Sequence, residues 1–252
     1  MNGSHFLKLI CCGVILSGVV ETAYSEEPEI GWSPSWRNYR SKLEEKGYSL
    51  NISYKGDYVS NLNGGIEQRS SYLGNLDITA DFDLEKLWGA KGLTFSVYGL
   101  GNHGGNPTEF IGDSFATSNI EAPETFKIYE VYFQQGFGET SFLVFGLRDL
   151  NADFYALDEA NILINSAFGI SPTLSQTGIQ GPSIFPQASV ALEYKYGSSQ
   201  GVYFQSGIFN AQAGKLGLSH GTQINLEDKE GYLYLGEIGY ANENVEQGFK
   251  KY

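Results

Sequence analysis

The stretch Tyr72-Leu73-Gly74-Asn75-Leu76-Asp77-Ile78-Thr79-Ala80-Asp81-Phe82-Asp83-Leu84 decides the fold. Tyr72, Leu76, Ile78, Ala80, Phe82 and Leu84 stand on one parity, and Asn75, Asp77, Thr79, Asp81 and Asp83 on the other. Residues two apart share a face in an extended strand, so this alternation predicts a β-strand with one apolar and one wet side. The run exceeds the usual globular strand of about five or six residues and matches a tilted membrane-crossing strand.

The same period runs along most of the chain. Before it, Leu50, Ile52, Tyr54 and Tyr58 alternate with Asn51, Ser53, Lys55 and Asp57. After it, Leu93, Phe95 and Val97 alternate with Thr94, Ser96 and Tyr98, and Tyr129, Val131 and Phe133 with Glu130, Tyr132 and Gln134. Leu143, Phe145 and Leu147 alternate with Val144, Gly146 and Arg148, and Val190, Leu192, Tyr194 and Tyr196 with Ala191, Glu193 and Lys195. Tyr232, Tyr234, Ile238 and Tyr240 alternate with Leu233, Leu235 and Glu237, while 202–209 is apolar on both parities and leaves its orientation open. Eight strands are predicted in all. One short helix precedes them over 33–46, capped by Ser33 or Ser35, with Trp36, Tyr39 and Leu43 on one face and Gly47 ending it.

Composition agrees. The 252 residues carry 32 glycines, 14% aromatics and only 18% charged residues, which argues against a helical bundle. The mean hydropathy of -0.23 excludes a bundle of membrane helices. A net charge of -13 disfavours nucleic acid, which calls for a basic face.

Residues 1–25 read as a secretory signal peptide. Lys8 supplies the basic end, Leu9 to Val20 the apolar segment, and Ala23-Tyr24-Ser25 the cleavage site. Both cysteines, Cys11 and Cys12, fall inside it, so the mature chain is expected to lack disulfides. Residues 26–47 then form a periplasmic helical segment and 48–252 the β domain.

The links are as informative as the strands. Those at 85–91, 137–140 and 197–200 are short, and those at 60–70, 102–126, 151–187 and 211–230 are longer. Strict short–long order is what an antiparallel membrane barrel with brief periplasmic turns and longer outer loops requires. Tyr48, Tyr58, Tyr72, Trp88, Tyr196 and Tyr240 fall near strand ends, where aromatic girdles sit.

In order along the chain come Gly47-Tyr48-Ser49-Leu50, Asn61-Leu62-Asn63-Gly64-Gly65, Tyr72-Leu73-Gly74-Asn75-Leu76-Asp77 and Asp83-Leu84-Glu85-Lys86-Leu87. Then follow Ser118-Asn119-Ile120-Glu121-Ala122, Gly146-Leu147-Arg148-Asp149, Asn165-Ser166-Ala167-Phe168-Gly169, Phe209-Asn210, His220-Gly221-Thr222 and Gly236-Glu237. This ordered set resembles the carbohydrate-selective porins of the OprB family. The resemblance implies an outer-membrane barrel of about 16 strands that passes sugars such as glucose in a Gram-negative cell. It also implies that the chain, ending at Gly248-Phe249-Lys250-Lys251-Tyr252, holds the front half of such a barrel. The alternative is a small closed barrel, in which the first and eighth strands would pair and leave no sugar-sized channel.

A porin lowers the barrier to a polar solute without covalent chemistry, through width, hydrogen-bonding groups and charge at a constriction. The longest link, 151–187, leaves the fifth strand beside Arg148-Asp149 and is the expected constriction element, with partly helical spacing over 153–167. Parity turns Asn75, Asp77, Thr79, Asp81, Glu130, Gln134, Arg148, Glu193, Lys195 and Glu237 towards the lumen. The preferred sugar-path residues are Glu130, Arg148, Asp149, Asn165 and Glu237, with wall-bracing salt bridges as the competing role. Expected partners are small sugars, outer-membrane lipid and the outer-membrane assembly machinery. No cofactor or metal is expected, and Glu227, Asp228 and Glu230 read as a solvated charge run.

An enzyme is disfavoured. His103 and His220 fall in expected loops, and no hydrolase, zinc or P-loop motif occurs. A secreted β-sandwich carbohydrate-binding protein shares the alternation but needs neither the link order nor an apolar outer face. A non-conducting structural outer-membrane protein is the third reading.

Overall fold

The computed structural model describes residues 34–156, 160, 162–178, 181–197, 200–215, 220–225 and 231–242. The expected signal peptide, Ser33, the side chain of Trp36, the Glu227, Asp228 and Glu230 run and the segment 248–252 lie outside the described residues. No helix among those described is long and apolar enough to cross a membrane.

Helix α1 (Pro34–Glu45) leads into β1 (Tyr48–Ser60), with Gly47 at φ 92° closing the helix through its amide to the Glu44 carbonyl. Next come β2 (Ser70–Asp83), the short helix α2 (Leu84–Trp88), β3 (Leu93–Gly104) and α3 (Thr108–Ile111). They are followed by β4 (Thr125–Phe137), β5 (Ser141–Arg148), α4 (Pro172–Ser175), β6 (Ser189–Tyr196), β7 (Gln200–Asn210) and β8 (Tyr232–Asn242). The eight strands form one antiparallel sheet in sequence order. Among the described residues β1 and β8 do not pair with each other, so the small closed barrel is not formed.

Leu84 does not continue β2, as its parity suggested. Asp83 stops the strand by accepting from the Glu85 and Lys86 amides at 3.0 and 3.1 Å, which caps α2. That helix makes the 84–92 link about as long as the 61–69 link, whereas 138–140 is a tight turn as expected.

The register gives the sheet two unlike faces. Asp81, Ser96, Tyr132 and Gly146 stand in one row across β2 to β5, and Lys195, Gln205 and Glu237 in another across β6 to β8. This inner face is the one covered by the long connections. The outer face carries Ile52, Phe133, Phe145, Leu192, Val202 and Ile238 in the open. The parity of 202–209, undetermined by sequence, is settled by pairing: Tyr203, Gln205, Gly207 and Phe209 share the inner row positions.

One parity assignment fails. Tyr98 pairs with Glu130 and Gly99 with Ile128, so Tyr129 is the extra residue of a β-bulge. Instead of standing outward with Val131 and Phe133, Tyr129 is buried beside Leu100, Leu147 and Ala188, with its ring edge-on to Tyr98 and Phe185. His103 is likewise not in a loop. It ends β3 on the outer face, where its Nε2 lies 3.0 Å from the Tyr54 hydroxyl.

The described parts of the 149–188 connection are packed, not splayed. Ser183 joins its two ends, since its hydroxyl donates to the Arg148 carbonyl at 2.5 Å and accepts from the Ser189 amide at 2.6 Å. A second apolar cluster of Leu150, Phe154, Ala191 and Phe209 lies beneath, joined by Ile170, Leu174 and Ile184 of the same connection. Gly207 makes room for it: a Cβ there would sit 3.1 Å from the Phe154 ring and 2.6 Å from Phe209. Over 153–167 the expected helical spacing appears among the described residues only as 3-10 turns, at 160 and 162 and entering Ser166–Phe168, while a further one, Leu150–Ala152, lies just before it.

Candidate functional site

The polar centre of the inner face is built around Arg148, the last residue of β5 and only 4% exposed. Its Nη1 donates to Glu130 Oε1 on β4 at 3.0 Å and its Nε to Glu193 Oε1 on β6 at 3.2 Å. Its Nη2 donates to Asp153 in the connection that follows. Its guanidinium lies 4.1 Å from the centre of the Tyr132 ring, which covers one flat side. A planar fork with five spread donors reaches three carboxylates from three segments in a fixed geometry that the compact ammonium of a lysine does not match.

Lys195 of β6 makes the second cationic contact to Asp153. Burial disfavours the Asp153 anion, but Lys195 and Arg148 outweigh it and hold the carboxyl below the ordinary range. The Asp153 carbonyl accepts from Gln205 Nε2 at 2.6 Å, and the same nitrogen reaches Glu237 Oε1 at 3.0 Å. Glu237 also accepts from the Tyr203 hydroxyl at 2.9 Å and, through Oε2, from the Tyr155 amide at 3.1 Å. Asp149 is bound on the other side: its amide donates to Glu130 Oε1 at 2.8 Å and its Oδ2 accepts from Tyr129 at 2.6 Å. Its Oδ1 caps the following turn through the Asn151 amide at 2.8 Å. Close packing around the carboxyl, with Glu130 nearby, pushes Asp149 up to about 7.

The outcome is a strap. Residues 149–155 leave β5, cross the inner face and are tied to β4, β6, β7 and β8. Four of the five expected residues, Glu130, Arg148, Asp149 and Glu237, belong to it. Asn165 does not. It caps the Ser166–Phe168 turn, where Ser166 bonds to the Ala116 and Ser118 carbonyls and Ser118 to Asp57 of β1 at 2.6 Å. That tie joins two long connections at the far side of the sheet.

Sequence reading missed Tyr129, Asp153, Tyr155, Tyr203 and Gln205. Tyr129 is hidden by the bulge, and Tyr203 and Gln205 by a strand apolar on both parities. Asp153 and Tyr155 lie in a connection with no period to read. Among the described residues no group of histidine, cysteine or acidic side chains could hold a metal ion.

A protein-family model described as carbohydrate-selective porin, OprB family, matches residues 67–250. The chain belongs to the OprB family. That family is described as one of carbohydrate-selective porins. Porin B of Pseudomonas aeruginosa is 25% identical over 239 residues, covering 88% of this chain and 51% of that protein. The OprB-family chain thus spans about half the length of the curated relative it matches. The high-pH structure of Pseudomonas putida OprB superposes with a TM-score of 0.62 at 24% identity, over 71% of this chain and 44% of that one. The fold is therefore that of an OprB barrel wall.

Proposed function

We propose that this chain forms wall and constriction of an outer-membrane channel for small neutral sugars, glucose among them. The observation that carries the reading is the inversion of the sheet. Charged groups are buried on the inner face, while Ile52, Phe126, Phe145, Val202 and Ile238 stand exposed on the outer one. In water that outer face is unfavourable; against lipid it is the ordinary wall of a barrel. Exposed Tyr48, Tyr58, Tyr72, Trp88, Tyr196 and Tyr240 near strand ends fit the two interfacial belts, and the signal-like 1–25 segment fits export.

The strap narrows the lumen and the Arg148 network braces it. In this reading Glu130, Arg148 and Asp149 hold the constriction in place, and Glu237 faces the solute path. The net charge of -13 disfavours anionic solutes, which want rings of Lys or Arg. Membership of a carbohydrate-selective family supports sugars as the solute class.

The test is liposome swelling with the protein purified from its native membrane. Swelling in glucose that exceeds swelling in a sugar phosphate of similar size supports the reading. A protein that fractionates as soluble without detergent, or vesicles that do not swell in any sugar, reject it.

A further inference from the structure

We infer that Tyr155 is the ring on which a sugar stacks as it passes the strap, an assignment that rests on the porin reading above. Tyr155 has φ 57° and is the only non-glycine residue with positive φ among the described residues. Elsewhere the chain places glycine wherever the left-handed region is needed, at Gly89, Gly112 and Gly138 for example. A side chain in that region crowds its own backbone and persists only where the surroundings over-determine it.

Here they do. The Tyr155 amide donates to Glu237 Oε2 at 3.1 Å, and its carbonyl accepts from Asn151 Nδ2 at 3.3 Å. On the preceding side Phe154 is buried edge-on against Phe209, in the space left by Gly207. Asp153 before it is held by Arg148, Lys195 and Gln205. The backbone at 155 is therefore held from β5, β6, β7 and β8, yet the side chain is not used for holding. Its ring is 50% exposed, and its hydroxyl has no hydrogen-bond partner among the described residues.

A glycine would suit this backbone better, so the tyrosine is there for what its side chain presents. An exposed ring on a backbone pinned to Glu237, with a phenol that is free among the described residues, offers an apolar face and a polar edge. That set matches a pyranose, which has an apolar C–H face and a rim of hydroxyls. The strap thus both narrows the passage and supplies the surface along which the solute slides.

The experiment is sugar-induced current interruption through the full protein reconstituted in planar bilayers, with glucose as probe. Tyr155→Phe keeps the interruptions within about twofold of wild type. Tyr155→Ala and Tyr155→Gly shorten glucose residence by about tenfold, the scale of one aromatic contact. Tyr155→Gly also relieves the backbone, so its heat-denaturation temperature is at or above that of wild type, which separates loss of the ring from loss of the strap. Wild-type residence times in both Ala and Gly variants overturn the inference alone. A wild-type channel that glucose never interrupts or permeates overturns the porin reading and the inference with it.

Discussion

Tyr129 reaches Asp149 from the bulge of β4, its hydroxyl donating to Oδ2 at 2.6 Å. The bulge is what makes this possible. An unbulged Tyr129 would face outward with Val131, and the strap would begin unsupported. Tyr129→Phe leaves a packed carboxyl short of one donor. The expected loss is about 1–3 kcal/mol, read as a lower temperature for the heat-induced mobility shift of the barrel on gels. An unchanged transition would mean that the contact adds nothing to the fold.

Asp149 gives the same anchor a pH dependence. It titrates at about 7 in the folded chain against an ordinary value of 3.8. Between those values the folded chain keeps a proton that the unfolded chain has released, so stability from this group rises as pH falls through that window. Acidifying from about pH 8 to about pH 5 should raise the transition temperature, and Asp149→Asn should flatten that slope. An equal slope in the Asn variant would assign the effect to other groups.

Arg148 satisfies Glu130, Glu193 and Asp153 at once and is nearly inaccessible. Arg148→Ala strands three acidic groups around a single remaining cation, Lys195. Breaking a buried pair of this kind costs about 3–5 kcal/mol. The variant should fold poorly and show altered sugar conductance, because the strap that narrows the lumen is released. Arg148→Lys restores charge without the fork and should fall between wild type and Ala. A well-folded Ala variant with normal conductance would show that Arg148 neither braces the wall nor shapes the path.

Gly207→Ala tests the seat of Phe154. The added methyl would lie 2.6 Å from Phe209 and 3.1 Å from the Phe154 ring. Overpacking of this order costs about 1–3 kcal/mol, and the cheapest response is to lift the strap. Limited proteolysis should then cut within 149–156, where the parent protein resists. Equal resistance would place the relaxation in β7 instead.

Glu237→Gln tests the other end. The amide can accept from Tyr203 or from the Tyr155 N–H, but its NH2 group repels one of the donors that the carboxylate accepted. Hydrogen exchange at the Tyr155 amide should speed up by about tenfold, the effect of losing one hydrogen bond. No change in that single amide would remove Glu237 as the far anchor.

Much of this was legible in sequence because a strand has a strict period of two. Asn75 to Asp83, and the Glu193–Lys195 pair, could be given faces before any coordinates, and the structure pairs them as read. Glu130, Arg148, Asp149 and Glu237 could be picked from parity and position, and the structure brings them together on the inner face of the sheet. Asn165 could not be kept out of that set, since a residue in a long connection carries no period to say where it docks. Tyr129 was misread because one inserted residue inverts parity without leaving a mark in composition.

By itself the sequence determined the all-β class, the eight strands and the family, since each is a property of local alternation and ordered motifs. Only the tertiary structure decided that residues 149–155 turn inward, that Arg148 serves three carboxylates from three segments, and that Tyr155 takes a left-handed backbone. Those outcomes depend on strands distant in the chain arriving together. A bulge at Tyr129, a missing Cβ at Gly207 and a carboxylate at Glu237 each act on the strap from a different strand, and no local pattern encodes where they meet.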